Sequence, residues 1–435
     1  MKKLVFLLGL ATLSACKPNI HTEEPFANGL DFSNYVAVGN SLTAGYADNS
    51  LYRSGQVNSY PAILAKQFSI FKPIDFKQPL LPSEAGFPSP KLVLANTTDC
   101  AGNSSLSPVP YSGPSDSTGN ALNISAQGPF NNFGIPGIRA VDYLVPGYAL
   151  FNPYAARIFS NPLAKPVDEL KNQNPTFFTL WLGSNDVLGY ATSGGEGNPL
   201  NSFSPDNISD ANLFKAGYDS VLKVLTRNGA KGAIMNIPNV TSIPFFTTIP
   251  AKGLVLDTTQ AAQLNVAYAG TGITFKAGAN NFIIQDILEP LGFRQIKNDE
   301  LIILTTPQDS MKCAGWGSVK PIPQRYVLSR SEIGKIQSAT DDFNNFIHSE
   351  AIAYHLPLVD MNAYLRTLVT GIKFNGVDFN TQYISGGAFS LDGVHLTPRG
   401  YALAANEILR EINAYYMSTI PPVDVNKYSG IHFPK

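Results

Sequence analysis

Charge is scarce in this chain. Only 14% of its 435 residues are charged, and Lys+Arg 31 against Asp+Glu 32 leaves a formal net charge of -1. That balance supplies no basic field for gripping nucleic acid, and no block of like charges forms an electrostatic tail. Cysteine (3) and histidine (5) are also rare, and no Cys/His cluster has metal-ligand spacing. Beyond the first residues no apolar run is long enough to span a bilayer. No internal repeat is visible. What is plentiful is hydrophobic residues (44%), Gly (36) and Pro (32). Such a chain builds a sizeable core and many turns, not a coiled coil or a disordered segment.

The N-terminus reads as a secretory signal. Lys2 and Lys3 form a basic region, Leu4 to Leu13 are mostly apolar, and the stretch ends in Leu13-Ser14-Ala15-Cys16. This end resembles the bacterial lipobox, which implies removal of residues 1–15, lipidation of Cys16 and a membrane anchor on a tether over 16–32. With Cys16 so used, Cys100 and Cys313 remain as a pair, and an oxidising compartment predicts a disulfide between them.

Further on, short apolar runs alternate with helical patterns. Tyr35 to Val38, Thr176 to Leu182, Ala233 to Ile237 and Leu356 to Asp360 read as strands. Pro61–Phe68, Ala211–Arg227 and Ser329–Tyr354 read as helices, the last with Ser329 and Glu332 at capping-box spacing. A final helix starts at Thr397-Pro398, with Ala404, Ile408, Ile412 and Tyr415 as its apolar stripe. The order predicts a parallel sheet with helices on both faces. Gly/Pro/Ser/Asn-rich stretches near 70–128, 188–210, 240–325 and 366–388 read as loop insertions into one domain over 33–416, with 417–435 as an extension.

Four segments carry chemistry. In Val38-Gly39-Asn40-Ser41-Leu42, Ser41 sits just past a buried strand, where open α/β sheets place reactants. A hydroxyl there is either a nucleophile awaiting a base or a plain helix cap. In Leu391-Asp392-Gly393-Val394-His395, a tight loop lets Asp392 orient the His395 ring. His348 and His355 read as structural, His21 and His432 as solvated. In Gly183-Ser184-Asn185-Asp186, the Asn185 amide can donate to a developing oxyanion. In Gly134-Ile135-Pro136-Gly137-Ile138-Arg139, a glycine N–H can approach a substrate oxygen.

Taken together and in this order, the four segments resemble the SGNH hydrolases, the GDSL-type esterases and lipases. The resemblance implies a flavodoxin-like three-layer α/β/α fold. It also implies an ester hydrolase with Ser41 as nucleophile, His395 as base and Asp392 as its orienter. Ser41 N–H, Gly137 N–H (or Gly134 in its place) and the Asn185 amide would form the oxyanion hole, with no metal or organic cofactor. One residue departs from the pattern: Asn40 stands where the family usually has Asp. The substrate class stays open between lipid or other acyl esters and acetylated carbohydrate, and a non-catalytic glycan- or lipid-binding lipoprotein is the reading from another class. Phe245, Phe246 and Ile249 either line an acyl pocket or are buried packing.

Overall fold

The computed structural model describes residues 24–114 and 117–434. The expected signal segment and Cys16 lie outside the described residues. Five strands form the central sheet: β1 (Tyr35–Gly39), β2 (Asn132–Gly134), β3 (Phe177–Trp181), β4 (Lys231–Met235) and β5 (Leu358–Val359). Their order is β5-β4-β3-β1-β2, and all pairs are parallel. This is the flavodoxin-like order, with the reversal between β1 and β3. Every residue of β1 and β3 is buried, as a sheet covered on both faces requires.

Seven helices surround the site and the sheet: α1 (Ser41–Ala44), α2 (Tyr60–Phe68), α3 (Asn185–Thr192), α4 (Ala211–Thr226), α5 (Arg330–Ala353), α6 (Met361–Thr370) and α7 (Pro398–Tyr416). Side chains alternate across the strands, so each face has its own partners. Phe177 and Trp181 meet Phe68, Tyr416 and Tyr60 of α2 and α7. On the other face α4 packs on α5 through Phe214 and Phe343, whose rings stack at 4.0 Å. The α5 capping box is formed, with Glu332 Oε2 accepting from Ser329 N at 2.7 Å. At α7, Thr397 accepts from Gly400 N at 3.1 Å, and Pro398 takes the first turn.

The structure also departs from the sequence reading. β2 is a strand of three residues, too short to leave an alternating pattern, and it is not among the strands read from the sequence. Tyr415 is 48% exposed; the helical stripe ends at Ile412, and Tyr416 turns inward instead. His348 and His355 are exposed rather than structural, with His355 in a left-handed turn after α5. The segment read as a tether reaches the core: Leu30 and Phe32 are buried, and Phe32 stacks on Phe68 at 4.0 Å. The 366–388 segment begins inside α6 and continues as a hairpin, Ile372–Phe374 with Val377–Phe379. Residues past 417 fold back on α7, where Asn406 brackets Val423 with two hydrogen bonds.

The 240–325 insertion is structured. It holds a helix, Thr258–Ala267, and short antiparallel pairs. Two small cores of its own stabilise it, one around Ile284, Ile296, Ile302 and Ile322, the other around Leu256, Leu264, Tyr268 and Phe275. Arg294 bridges Asp286 at 2.7 Å and Glu300 at 2.6 Å and locks its second hairpin. The 70–128 insertion contributes the hairpin Leu92–Thr98 with Ser104–Pro110. A disulfide between Cys100 and Cys313 joins the two insertions, as expected, across 213 residues of chain. Among the described residues no helix is long and apolar enough to cross a membrane.

Candidate active site

The sheet order puts its switch point between β1 and β3, and the four chemical segments gather at the carboxyl ends there. Ser41 opens α1 one residue after β1. Asn40 caps that helix, its Oδ1 accepting from Leu42 N at 3.1 Å. The capping role needs only an acceptor, and Asn supplies one as Asp would.

His395 comes from the other end of the chain. Ser390 to His395 close on themselves, Ser390 N donating to His395 O at 2.8 Å and Gly393 N to Ser390 O at 3.0 Å. This tight loop aims the ring inward. His395 Nε2 lies 2.8 Å from Ser41 Oγ, and His395 Nδ1 lies 2.9 Å from Asp392 Oδ2. The Tyr46 ring flanks the imidazole with centroids 4.5 Å apart.

Asp392 is buried, which on its own pushes its carboxyl up. The His395 ring and a set of donors outweigh burial and hold it below the usual carboxylate range. Oδ1 accepts from Val394 N and His395 N, both at 2.8 Å, and from the Ser390 hydroxyl at 3.1 Å. Oδ2 accepts from Asn49 N at 2.8 Å as well as from the ring. An ionised Asp392 keeps the proton on Nδ1, so Nε2 offers its lone pair to the Ser41 hydroxyl. A hydroxyl, imidazole and carboxylate joined at these distances can move a proton off the hydroxyl.

The opposite rim is built by β2 and α3. Asn185 opens α3, and its Nδ2 donates to Ile138 O at 2.9 Å. The amide has a second N–H to give. Asp186 Oδ2 accepts from Ala140 N at 2.8 Å, so both side chains tie the 137–140 turn to α3. Burial pushes Asp186 up to about 7, against the lowering effect of the Ala140 N–H. Arg139 stiffens the same turn through Asp142 at 2.8 Å and the carbonyls of Ser204 and Phe203. The two glycines separate here. Gly134 is buried, and a Cβ on it would sit 2.3 Å from Ala44 N, so its role is the contact of β2 with α1. Gly137 is exposed at φ +83°, and its N–H has no acceptor among the described residues.

A family model described as GDSL-like Lipase/Acylhydrolase matches residues 35–408. The chain belongs to that family. Acylhydrolases cleave esters, and the GDSL-like match spans the sheet, both rims of the site and most of α7. No curated protein and no solved structure matches this GDSL-like chain.

Several residues around the GDSL-like site carried no signal in the sequence. Asp186 was visible next to Asn185 but had no assigned part. Tyr46, Asp48, Asn49 and Ser390 were not singled out. Phe246 is buried packing, whereas Phe245 and Ile249 line a cleft, and Phe245 N donates to Gly393 O at 2.9 Å beneath the Asp392 loop. Among the described residues, no three or more His, Cys, Asp or Glu are placed to hold a metal ion.

A cleft of about 1390 Å³ opens beside this loop, between the hairpin of 92–110 and the 240–325 insertion. Phe245, Leu304, Leu391 and Asp392 form its inner end, and Asp99, Lys312 and Cys313 its far wall. Its Lys312 is paired with Asp99 at 3.2 Å. Ser41, Gly137 and Asn185 do not line it, so it adjoins the triad carboxylate and not the hydroxyl.

Proposed function

We propose that this chain is a serine ester hydrolase of the cell envelope that works through an acyl-enzyme. The observation that carries the reading is the Ser41–His395–Asp392 chain at 2.8 Å and 2.9 Å, assembled from residues 354 apart at the mouth of the sheet. Ser41 Oγ attacks the ester carbonyl carbon while His395 Nε2 takes its proton. The oxyanion is met by Ser41 N–H, Gly137 N–H and the free Asn185 amide hydrogen. Ser41 N–H is available because it opens a helix and has no partner one turn back. The C–O bond then breaks and His395 gives its proton to the leaving alcohol. Water attacks the acyl-enzyme, loses a proton to His395, and the acid leaves as Ser41 regains its hydrogen. Asn40 supplies the acceptor that caps α1.

The substrate favoured is an ester with a long uncharged part. The cleft beside Asp392 is far larger than an acetyl group needs; Phe245, Leu304 and Leu391 next to that carboxylate, and a single lysine that is already paired, suit the neutral far part of an ester that extends from Ser41 past the triad. The N-terminal pattern ending at Cys16 supports a lipid-anchored envelope protein, which places such an enzyme beside membrane esters. The test is hydrolysis of p-nitrophenyl esters from acetate to palmitate by protein lacking residues 1–16, with Ser41→Ala alongside. Turnover that rises with chain length and disappears in the variant is expected. Turnover that survives in Ser41→Ala would end the serine mechanism, and acetate as the best substrate would end the long-chain assignment.

A further inference from the structure

Residues Ala47 to Ser50 make a two-residue reverse turn. Ala47 N donates to Ser50 O at 3.1 Å and Ser50 N to Ala47 O at 3.0 Å. Asp48 and Asn49 both have positive φ, +51° and +61°, as in a type I′ turn. Such turns favour Asn-Gly, and Asn and Asp tolerate the left-handed region better than other side chains. The turn therefore explains the dihedrals. It does not explain where the turn's donors and the Asp48 carboxylate go.

The N–H groups of Asp48 and Asn49 and one oxygen of the Asp48 carboxylate go to the loop that carries Asp392. Asp48 N donates to Ser390 Oγ at 2.9 Å, and the Ser390 hydroxyl donates on to Asp392 Oδ1 at 3.1 Å. Asn49 N donates to Asp392 Oδ2 at 2.8 Å. Asp48 Oδ1 accepts from Leu391 N at 2.9 Å, and Oδ2 accepts from the Tyr52 hydroxyl at 2.7 Å. The turn is fastened from behind as well, since Leu92 N donates to Asp48 O at 2.8 Å. Three hydrogen bonds thus join two consecutive residues near Ser41 to three residues more than 340 positions later. Left-handed residues held this firmly concentrate where geometry serves function.

We infer that Asp48 is a positioning residue for the reaction: with Asn49 it forms a left-handed turn that holds the Asp392 carboxylate in register with His395. This rests on the triad reading above and adds a residue to it. Asp48 touches neither substrate nor the reacting atoms. Its carboxylate fixes Leu391 N, the backbone just before Asp392, while Asn49 N donates to the triad carboxylate directly and Asp48 N reaches it through the Ser390 hydroxyl. The charged and titratable groups facing Asp48 are Tyr52, Lys91, Asp392, Tyr383 and Tyr401. Replacement by Asn keeps an acceptor for Leu391 N and removes the charge; replacement by Ala removes the acceptor.

The experiment compares wild type, Asp48→Asn and Asp48→Ala in two readouts. Steady-state ester hydrolysis is expected to show kcat in Asp48→Ala down by about 10²-fold, the scale of a small misplacement, with KM little changed. Asp48→Asn is expected to recover most of it. Independently of turnover, NMR of 15N-histidine-labelled protein reads the His395 Nδ1 proton and its titration. Its downfield Nδ1–H signal should persist in wild type and Asp48→Asn and be lost or exchange-broadened in Asp48→Ala. Should Asp48→Ala fail to fold, Tyr52→Phe frees one oxygen of the same carboxylate, and a smaller fall in kcat is expected there. A folded Asp48→Ala with wild-type kcat and an intact Nδ1–H signal overturns the inference, as does an Asp48→Asn as impaired as Asp48→Ala. If wild type turns over no ester while the NMR contrast holds, the esterase reading fails and the positioning role stands.

Discussion

Asp392 and Asp186 stand on opposite rims of the same site, both taken out of water, and they end in opposite states. Asp392 receives donors on both oxygens, from Val394 N, His395 N, Asn49 N, Ser390 Oγ and the His395 ring, and is held below the ordinary carboxylate range. Asp186 receives one backbone N–H, from Ala140, its buried Oδ1 has no hydrogen bond among the described residues, and burial pushes it up to about 7 against the lowering effects of the Ala140 N–H and the Ser209 hydroxyl. Burial penalises the charge in both; at Asp392 the His395 ring first, and the backbone and side-chain donors with it, outweigh that penalty, and at Asp186 nothing does. The charged carboxylate is the one that faces the base. The one pushed up holds the 137–140 turn, where a hydrogen-bonded anchor is enough.

The comparison breaks most visibly at Asp392. Asp392→Asn should lower kcat by about 10⁴-fold, as loss of the orienting carboxylate does in serine hydrolases generally, with the fold retained. Steady-state kinetics and far-UV circular dichroism check it; a loss under tenfold would mean that the charge is not what orients His395. The next effect is on stability at Asp186. Its pKa is raised on folding, so its favourable contribution is complete below the unfolded value of about 3.9 and is lost as pH rises through about 7. Wild type should therefore lose a few kcal/mol between those values, at about 1.4 kcal/mol per pKa unit. Asp186→Asn should lack that slope while keeping the acceptor for Ala140 N. Urea unfolding at several pH values measures it, and parallel profiles for the two proteins would refute the assignment. The smallest effect belongs to Asn40→Asp. Asn and Asp cap helices about equally, so stability should change by less than about 0.5 kcal/mol and turnover should persist. A large gain in kcat would show that a charge at this position tunes the site.

Much of this could be read from residue types in order. Strands β1 and β3 announced themselves as uninterrupted apolar runs, and α5 and α7 through Ser329/Glu332 and Thr397-Pro398. Ser41, Asn185 and His395 were legible because each chemical group lies beside an element end that the pattern had located, the first two just after a strand and His395 just before α7. β2 was not, since Asn132–Gly134 is three residues long and its pairing with Ala37–Gly39 is nonlocal. The 240–325 insertion looked like loop because its strands are two or three residues each and its cores are assembled from scattered isoleucines. Asp48 and Asn49 looked like any polar turn. Their partners lie more than 340 residues away, and no local pattern encodes such a contact. The choice between Gly134 and Gly137 needed coordinates for the same reason, because only packing against Ala44 separates them.

The central claim is that His395 makes Ser41 a nucleophile, and covalent labelling tests it most directly. A fluorophosphonate is incubated with the protein lacking residues 1–16 and with its His395→Ala variant, and the adduct is located by peptide mass spectrometry. The account predicts one phosphonyl group per chain, on Ser41, with labelling abolished or slowed by orders of magnitude in the variant. A folded protein that takes no label, a label on another residue, or equal labelling of Ser41 without His395 would contradict it.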